Sequence, residues 1–216
     1  MEFVLPPEGI MKRILQVFAL AGAIYTVNGQ GTFEAMSSYT IPAAGGAVSG
    51  TAGWAFQPTT TISVNSLGCL RYLIDGSSAQ GAMEVGLWAN NGTLLASTFI
   101  DTTNTAFNAT LYAAISPVVL GAGNTYRVGI YSPSGTTLVN LVTQGVDGSG
   151  TFASDIQLLG AATGTSGFGN PSTQGASNTL LLGPNFQFTR TVPEPSTLAL
   201  AVLGGLGWMV VRRRTS

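Results

Sequence analysis

The sequence predicts an all-β domain, a jelly-roll-like antiparallel β-sandwich, flanked by an N-terminal signal helix and a C-terminal transmembrane helix. Three observations lead there. Apolar and polar side chains alternate with period two in several short segments of the middle region. Glycine, asparagine and aspartate punctuate those segments at near-regular intervals. The long charge-free apolar runs lie at the two ends of the 216-residue chain and not between them.

From the start of the chain, residues 1–10 carry Glu2, Glu8 and Pro6-Pro7 ahead of any cation. A secretory leader begins with its positive charges, so residues 1–10 read as a mis-annotated start and Met11 as the true one. Lys12 and Arg13 then abut an apolar run over 14–27, followed by Asn28-Gly29-Gln30. That order is a signal peptide over residues 11–29, with Val27 and Gly29 before a cut at Gln30.

Residues 30–191 form the predicted sandwich domain. Strand candidates fall at 53–57, 61–65 and 67–74. Next, Met83, Val85 and Leu87 alternate with Glu84, Gly86 and Trp88. Asn91-Gly92 separates this strand from another over 93–100, the strongest short-range hairpin signal in the chain. A strand over 110–115 precedes Tyr126, Val128 and Ile130, which alternate with Arg127, Gly129 and Tyr131. Strands over 138–142 and 156–159 follow. Residues 161–178, rich in Gly, Ser and Thr, read as a long loop or loose hairpin. Phe186 and Phe188, alternating with Asn185, Gln187 and Thr189, make the last strand. Asp75-Gly76, the 121–124 segment, Pro133-Ser134-Gly135 and Asp147-Gly148 supply turns.

The tail, residues 192–216, reads Val192-Pro193-Glu194-Pro195-Ser196-Thr197, an apolar helix over 198–211, then Arg212-Arg213-Arg214. Its 14 apolar residues are short for a permanent span and suit a transient one. The three arginines act as a cytoplasmic stop-transfer cluster. Pro-Glu-Pro resists helix and strand and stays open to an enzyme at the membrane edge.

In motif, order and position this tail resembles the PEP-CTERM sorting signal of Gram-negative bacteria. The resemblance implies recognition by an exosortase, with Val192, Pro193, Glu194 and Pro195 as the sorting and cleavage motif. It also implies transient residence in the inner membrane, then the cell surface or extracellular space, and company with exopolysaccharide and biofilm. The segments Gly53-Trp54-Ala55-Phe56, Val85-Gly86-Leu87-Trp88, Gly92 to Ala96 and Thr125-Tyr126 resemble a bacterial surface β-sandwich domain of unknown function over about residues 53–135. That pattern often has a histidine before its Val-Gly-Leu-Trp element; this chain has Glu84 there. Any function resting on that histidine is in doubt here.

Composition excludes several chemistries. The chain has no histidine and one cysteine, Cys69. A Ser-His-Asp triad, a Cys-His pair, a His-ligated zinc and an internal disulfide are therefore out. Cys69 reads as a small buried hydrophobe. Charged residues are only 8% and the net charge is −1, so no basic face offers itself to nucleic acid. Within 30–191, six acids face three arginines and there is no lysine.

The acids Asp75, Glu84, Asp101, Asp147 and Asp155 are the material for a hydrolase, but no motif pairs two of them. Asp75, with the neutral oxygens that follow it, is a weak candidate for a structural calcium; otherwise no cofactor is expected. Trp88 and Tyr131 fall opposite the apolar stripes of their strands. Exposed, they would be a glycan platform; covered, they are core. The leading expectation is a non-enzymatic exported surface or matrix protein. A carbohydrate-binding or adhesion module is the alternative, and a hydrolase the third reading.

Overall fold

A computed structural model of the chain describes residues 31–191 apart from 41–45, 77–79, 145, 147 and 165. The signal segment, the first ten residues, Asp147 and the tail 192–216 lie outside the described residues. The described residues are all-β: sixteen strands and one 3-10 turn over Arg71–Leu73. No helix among them is long and apolar enough to cross a membrane.

In chain order the strands are β1 (Phe33–Glu34), β2 (Met36–Thr40), β3 (Gly46–Ser49), β4 (Ala52–Pro58), β5 (Ile62–Leu70), β6 (Met83–Ala89), β7 (Leu94–Ile100) and β8 (Thr105–Phe107). Then come β9 (Thr110–Leu120), β10 (Tyr126–Tyr131), β11 (Thr136–Thr143), β12 (Ser149–Phe152), β13 (Ile156–Thr163), β14 (Thr173–Gln174), β15 (Thr179–Leu182) and β16 (Pro184–Arg190). A five-stranded sheet runs β1-β16-β5-β9-β8 and a six-stranded one β14-β13-β4-β10-β6-β7. Two small sheets, β15-β11-β3 and β12-β2, complete the set.

The pairings are antiparallel and nested. β6 pairs with β7, β5 with β9, β4 with β10, β3 with β11 and β2 with β12. The chain therefore folds as one long hairpin whose two arms wrap together between the sheets. Strand β16 returns to pair with β5 on one side and β1 on the other.

The two large sheets meet through their apolar stripes. From β4, Trp54 and Phe56 point inward; from β16, Phe186 and Phe188 do. Ring centroids of Trp54 and Phe56 lie 5.7 and 4.9 Å from Phe186. Such pairs contribute about 0.5–1.5 kcal/mol each beyond area burial. Trp54 Nε1 donates to the Pro184 carbonyl at 3.0 Å, which satisfies the indole in the core. The inward residues Met83, Val85 and Leu87 of β6 and Val128 and Ile130 of β10 are fully buried, as period-two alternation requires.

A buried amide fastens the strand most remote in sequence. The Asn185 Oδ1 accepts from Met36 N at 3.0 Å, and its Nδ2 donates to Met36 O at 2.8 Å. This side chain has no solvent exposure, and without it the Met36 backbone would be buried and unpaired.

Three strand boundaries differ from expectation. The separate strands over 61–65 and 67–74 are one strand, β5, bulged at Asn65 and ending at Leu70, where Arg71–Leu73 turn into the 3-10 segment. Strand β9 runs on to Leu120 because three residues, 115–117, bulge out opposite Asn65, which accommodates Pro117. Residues 161–163 extend β13, so the expected loop begins at Gly164 and closes as a loose hairpin onto β14. The Asn91-Gly92 hairpin forms as expected, with Gly92 at φ +89°.

One ion pair closes the sandwich near the domain's C-terminal end. Arg190 makes a two-pronged contact with Asp155, Nη2 to Oδ2 at 2.8 Å and Nε to Oδ1 at 3.1 Å, and Thr60 Oγ1 donates to Oδ1 at 2.9 Å. The guanidinium also covers the Phe33 ring at 4.5 Å. The Arg190 hydrogen bonds hold the Asp155 carboxyl below the usual carboxylate range. A depressed folded pKa stabilises above the unfolded value of about 3.9 and is lost as pH falls through the folded one. We expect thermal unfolding to show Asp155→Asn less stable than the parent at neutral pH. The two curves should converge as acidification takes Asp155 through its lowered pKa, below the usual carboxylate range. A constant gap down to the lowest pH would contradict this.

Candidate functional site

The outer face of the six-stranded sheet holds the two aromatics singled out by pattern. Glu84, Gly86 and Trp88 of β6 share that face with Arg127, Gly129 and Tyr131 of β10. Register sets Gly86 beside Gly129 and Gly129 beside Gly53, a transverse lane of glycines across three strands. A Cβ on Gly53 would run into the Val128 carbonyl, with Gly129 Cα at 2.6 Å. A Cβ on Gly86 would meet the Trp88 ring, with Phe168 Cζ at 2.7 Å. The lane is the space into which Trp88 and Phe168 are packed.

A strap over residues 166–171 roofs this lane. Thr51, wholly buried, holds it: its Oγ1 donates to Gly167 O at 3.2 Å and accepts from Gly169 N at 3.0 Å. Phe168 then lies 5.2 Å from Trp88 and 6.5 Å from Tyr131, at interplanar angles of 48° and 54°. Trp88 retains 2% exposure. The three rings form a tilted cluster in which Trp88 is covered and Tyr131 and Phe168 are half-buried. Trp88 is covered because 166–171 folds back over the sheet, while Tyr131 stays partly exposed.

Beside Trp88 on the same face lies Arg127, which the sequence reading did not single out. It is 8% exposed, its Nη1 donates to the Asn90 carbonyl at 3.2 Å, and its Nε has no hydrogen-bond partner. Only its position opposite Val128 hinted at this, and alternation alone would have placed it in solvent.

The candidate acids are dispersed. Asp75 pairs with Arg71 at 3.0 Å within a surface turn, and residues 77–79 beside it lie outside the described set. Asp101 accepts from Thr103 N and Oγ1 at 2.8 and 2.6 Å; those bonds lower its pKa. Asp155 is held by Arg190. Glu84 sits opposite Tyr131 and Phe99, where partial burial raises its pKa. A further acid, Glu34, is buried; it accepts from Tyr112 at 2.7 Å and from Asn108 Nδ2. Burial and that carboxylate push the Tyr112 hydroxyl pKa up. Cys69 is wholly buried, and burial pushes its thiol pKa up, which makes it a core residue as expected and a poor nucleophile. Among the described residues no group of three or more Cys, Asp or Glu is placed to hold a metal ion.

The model of the domain of unknown function DUF4082 matches residues 24–178, well over half of the chain. The chain belongs to the DUF4082 family. The match takes in the roofed lane and the strap, and stops short of β15 and β16. A second model, the PEP-CTERM protein-sorting motif, matches residues 191–214. This DUF4082 protein is therefore an exported, membrane-processed surface protein targeted to an exosortase. Comparison with curated proteins gives no match.

Proposed function

We propose that this DUF4082 protein is a non-enzymatic component of the cell surface or extracellular matrix, associated with exopolysaccharide. On this reading a signal peptide over 11–29 delivers it. The tail helix over 198–211 anchors it transiently in the inner membrane, with Arg212, Arg213 and Arg214 as the stop-transfer cluster. An exosortase cleaves near Val192-Pro193-Glu194-Pro195. The nested pairings support a jelly-roll-like sandwich as the delivered unit.

The observation that carries the proposal is the sorting motif at 191–214. The geometry supports the non-enzymatic part. Asp75, Asp101, Asp155 and Glu34 are each engaged in a separate structural contact. The burial of Trp88 favours the matrix reading over a glycan module built on that ring.

Fractionation of the host tests it. The processed protein should sediment with the exopolysaccharide of wild-type cells and pass into the medium of a strain unable to make the polymer. Trp88→Ala at equal folded amount should leave that partition unchanged. Identical partition in both strains would sink the matrix reading, and loss of binding in Trp88→Ala would restore the glycan-platform reading.

A further inference from the structure

An ionised carboxylate can accept about four hydrogen bonds, and withdrawing it from water without a partner is costly. Asp75, Asp101, Asp155 and Glu34 each have their partners. Glu84 is the exception among the described acids. It is half-buried on the outer face of β6, and no described residue bonds to it or pairs with it. Loss of water alone accounts for its raised pKa.

Register sets this acid between two rings. Phe99 of β7 is directly opposite Glu84 on one side and Tyr131 of β10 on the other, so all three project from one face of the sheet. Phe99 is 57% exposed, although its neighbour Ile100 is wholly buried. Tyr131 is half-buried, with Phe168 lying 6.5 Å away to steady its ring. The two aromatic positions are two strand spacings apart, about 10 Å. Exposed Ser97, opposite Gly86, adds a hydroxyl beside the row.

We infer that the Phe99–Glu84–Tyr131 row binds a neutral saccharide chain. The C–H faces of two sugar rings pack on Phe99 and Tyr131, and hydroxyls of the unit between them donate to Glu84. This rests on the proposed association with exopolysaccharide and names where the polymer is held. Charge selects a neutral chain. An acidic polymer needs free cations, yet Arg71 and Arg190 are paired with Asp75 and Asp155, and Arg127 is 8% exposed. With six acids against three arginines, the domain repels a polyanion. A cationic guest calls for rings that enclose it, whereas these two stand in line on a sheet with the acid between them. A hydroxyl-bearing chain supplies the donors that Glu84 lacks. Because paired strands hold all three positions, little ordering is left to be done on binding.

The test uses the processed protein and the exopolysaccharide purified from its host, separated by anion exchange into neutral and charged fractions. In affinity electrophoresis the neutral fraction should retard the wild type. Phe99→Ala should weaken binding roughly tenfold, as loss of an aromatic anchor does. Glu84→Gln should weaken it about fivefold, because a neutral acceptor replaces a charged one. Both should keep the strand signal in circular dichroism, and the near-isosteric Glu84→Gln decides should Phe99→Ala misfold. Leu141→Ala, which removes a comparably exposed side chain from β11, should bind as the wild type does. Tetramethylammonium chloride, a probe for a cation cage, should not displace the polymer. A wild type that binds neither fraction overturns the inference together with the exopolysaccharide association. Retardation that Phe99→Ala and Glu84→Gln leave unchanged overturns the site alone, as does binding confined to the charged fraction or displacement by tetramethylammonium.

Discussion

Trp54→Ala is expected to destabilise the domain by about 3–5 kcal/mol, the range for emptying an aromatic from a packed core. Three rings, Phe56, Phe152 and Phe186, lie within 5.2–5.7 Å of its centroid and would border the cavity. The Pro184 carbonyl would lose its indole partner as well. Domains of this size hold roughly 5–15 kcal/mol in all, so the variant sits near the edge of folding. The melting temperature should fall by roughly 10–20 °C in a calorimetric scan. Trp54→Phe should recover most of the loss, because ring volume is largely restored and only the hydrogen bond is missing. A shift below about 2 °C for Trp54→Ala would mean that the two sheets do not meet at this ring.

Replacing Pro193-Glu194-Pro195 with three alanines should abolish exosortase processing. The precursor should then accumulate in the inner-membrane fraction with its tail intact, and the surface form should disappear from immunoblots. On the proposed reading, residues 192–197 would become helix-compatible and lose the extended backbone that prolines favour. Lysine in place of Arg212, Arg213 and Arg214 should have little effect, because stop-transfer depends on positive charge. Normal surface display of the triple-alanine variant would remove the motif from the pathway.

Much of the sandwich was legible because alternation is physical: one face of each strand must be buried. The inward triplets of β6 and β10 and the Phe186–Phe188 pair of β16 stood out for that reason. What was illegible came from contacts remote in sequence. The short strands β1, β2 and β3 have little alternation of their own and are ordered by partners remote in sequence, β16, β12 and β11, as Asn185 orders Met36. The 115–117 bulge could not be read, since Pro117 looks like a strand terminator until the partner strand is known. The state of Trp88 was undecidable on the same ground. Its position opposite the core was plain, but Thr51, which anchors the covering strap, carries no signal of that role.

The return of β16 to the sheet that β1 begins has a consequence for the order of events during export. β16 supplies the central partner of β5 and half of the aromatic core, and it ends at Arg190, one residue from the matched sorting motif's Val192. In a chain that leaves the cytoplasm from its N-terminal end, this strand clears the membrane last. The nested arms can collapse earlier, but the first sheet stays open along β5 until translocation has delivered residues 184–190. Closure is therefore a late, non-local and slow event that takes place beside the bilayer. On the proposed reading the exosortase would meet its motif directly against a freshly closed domain, since only Thr191 separates the end of β16 from Val192.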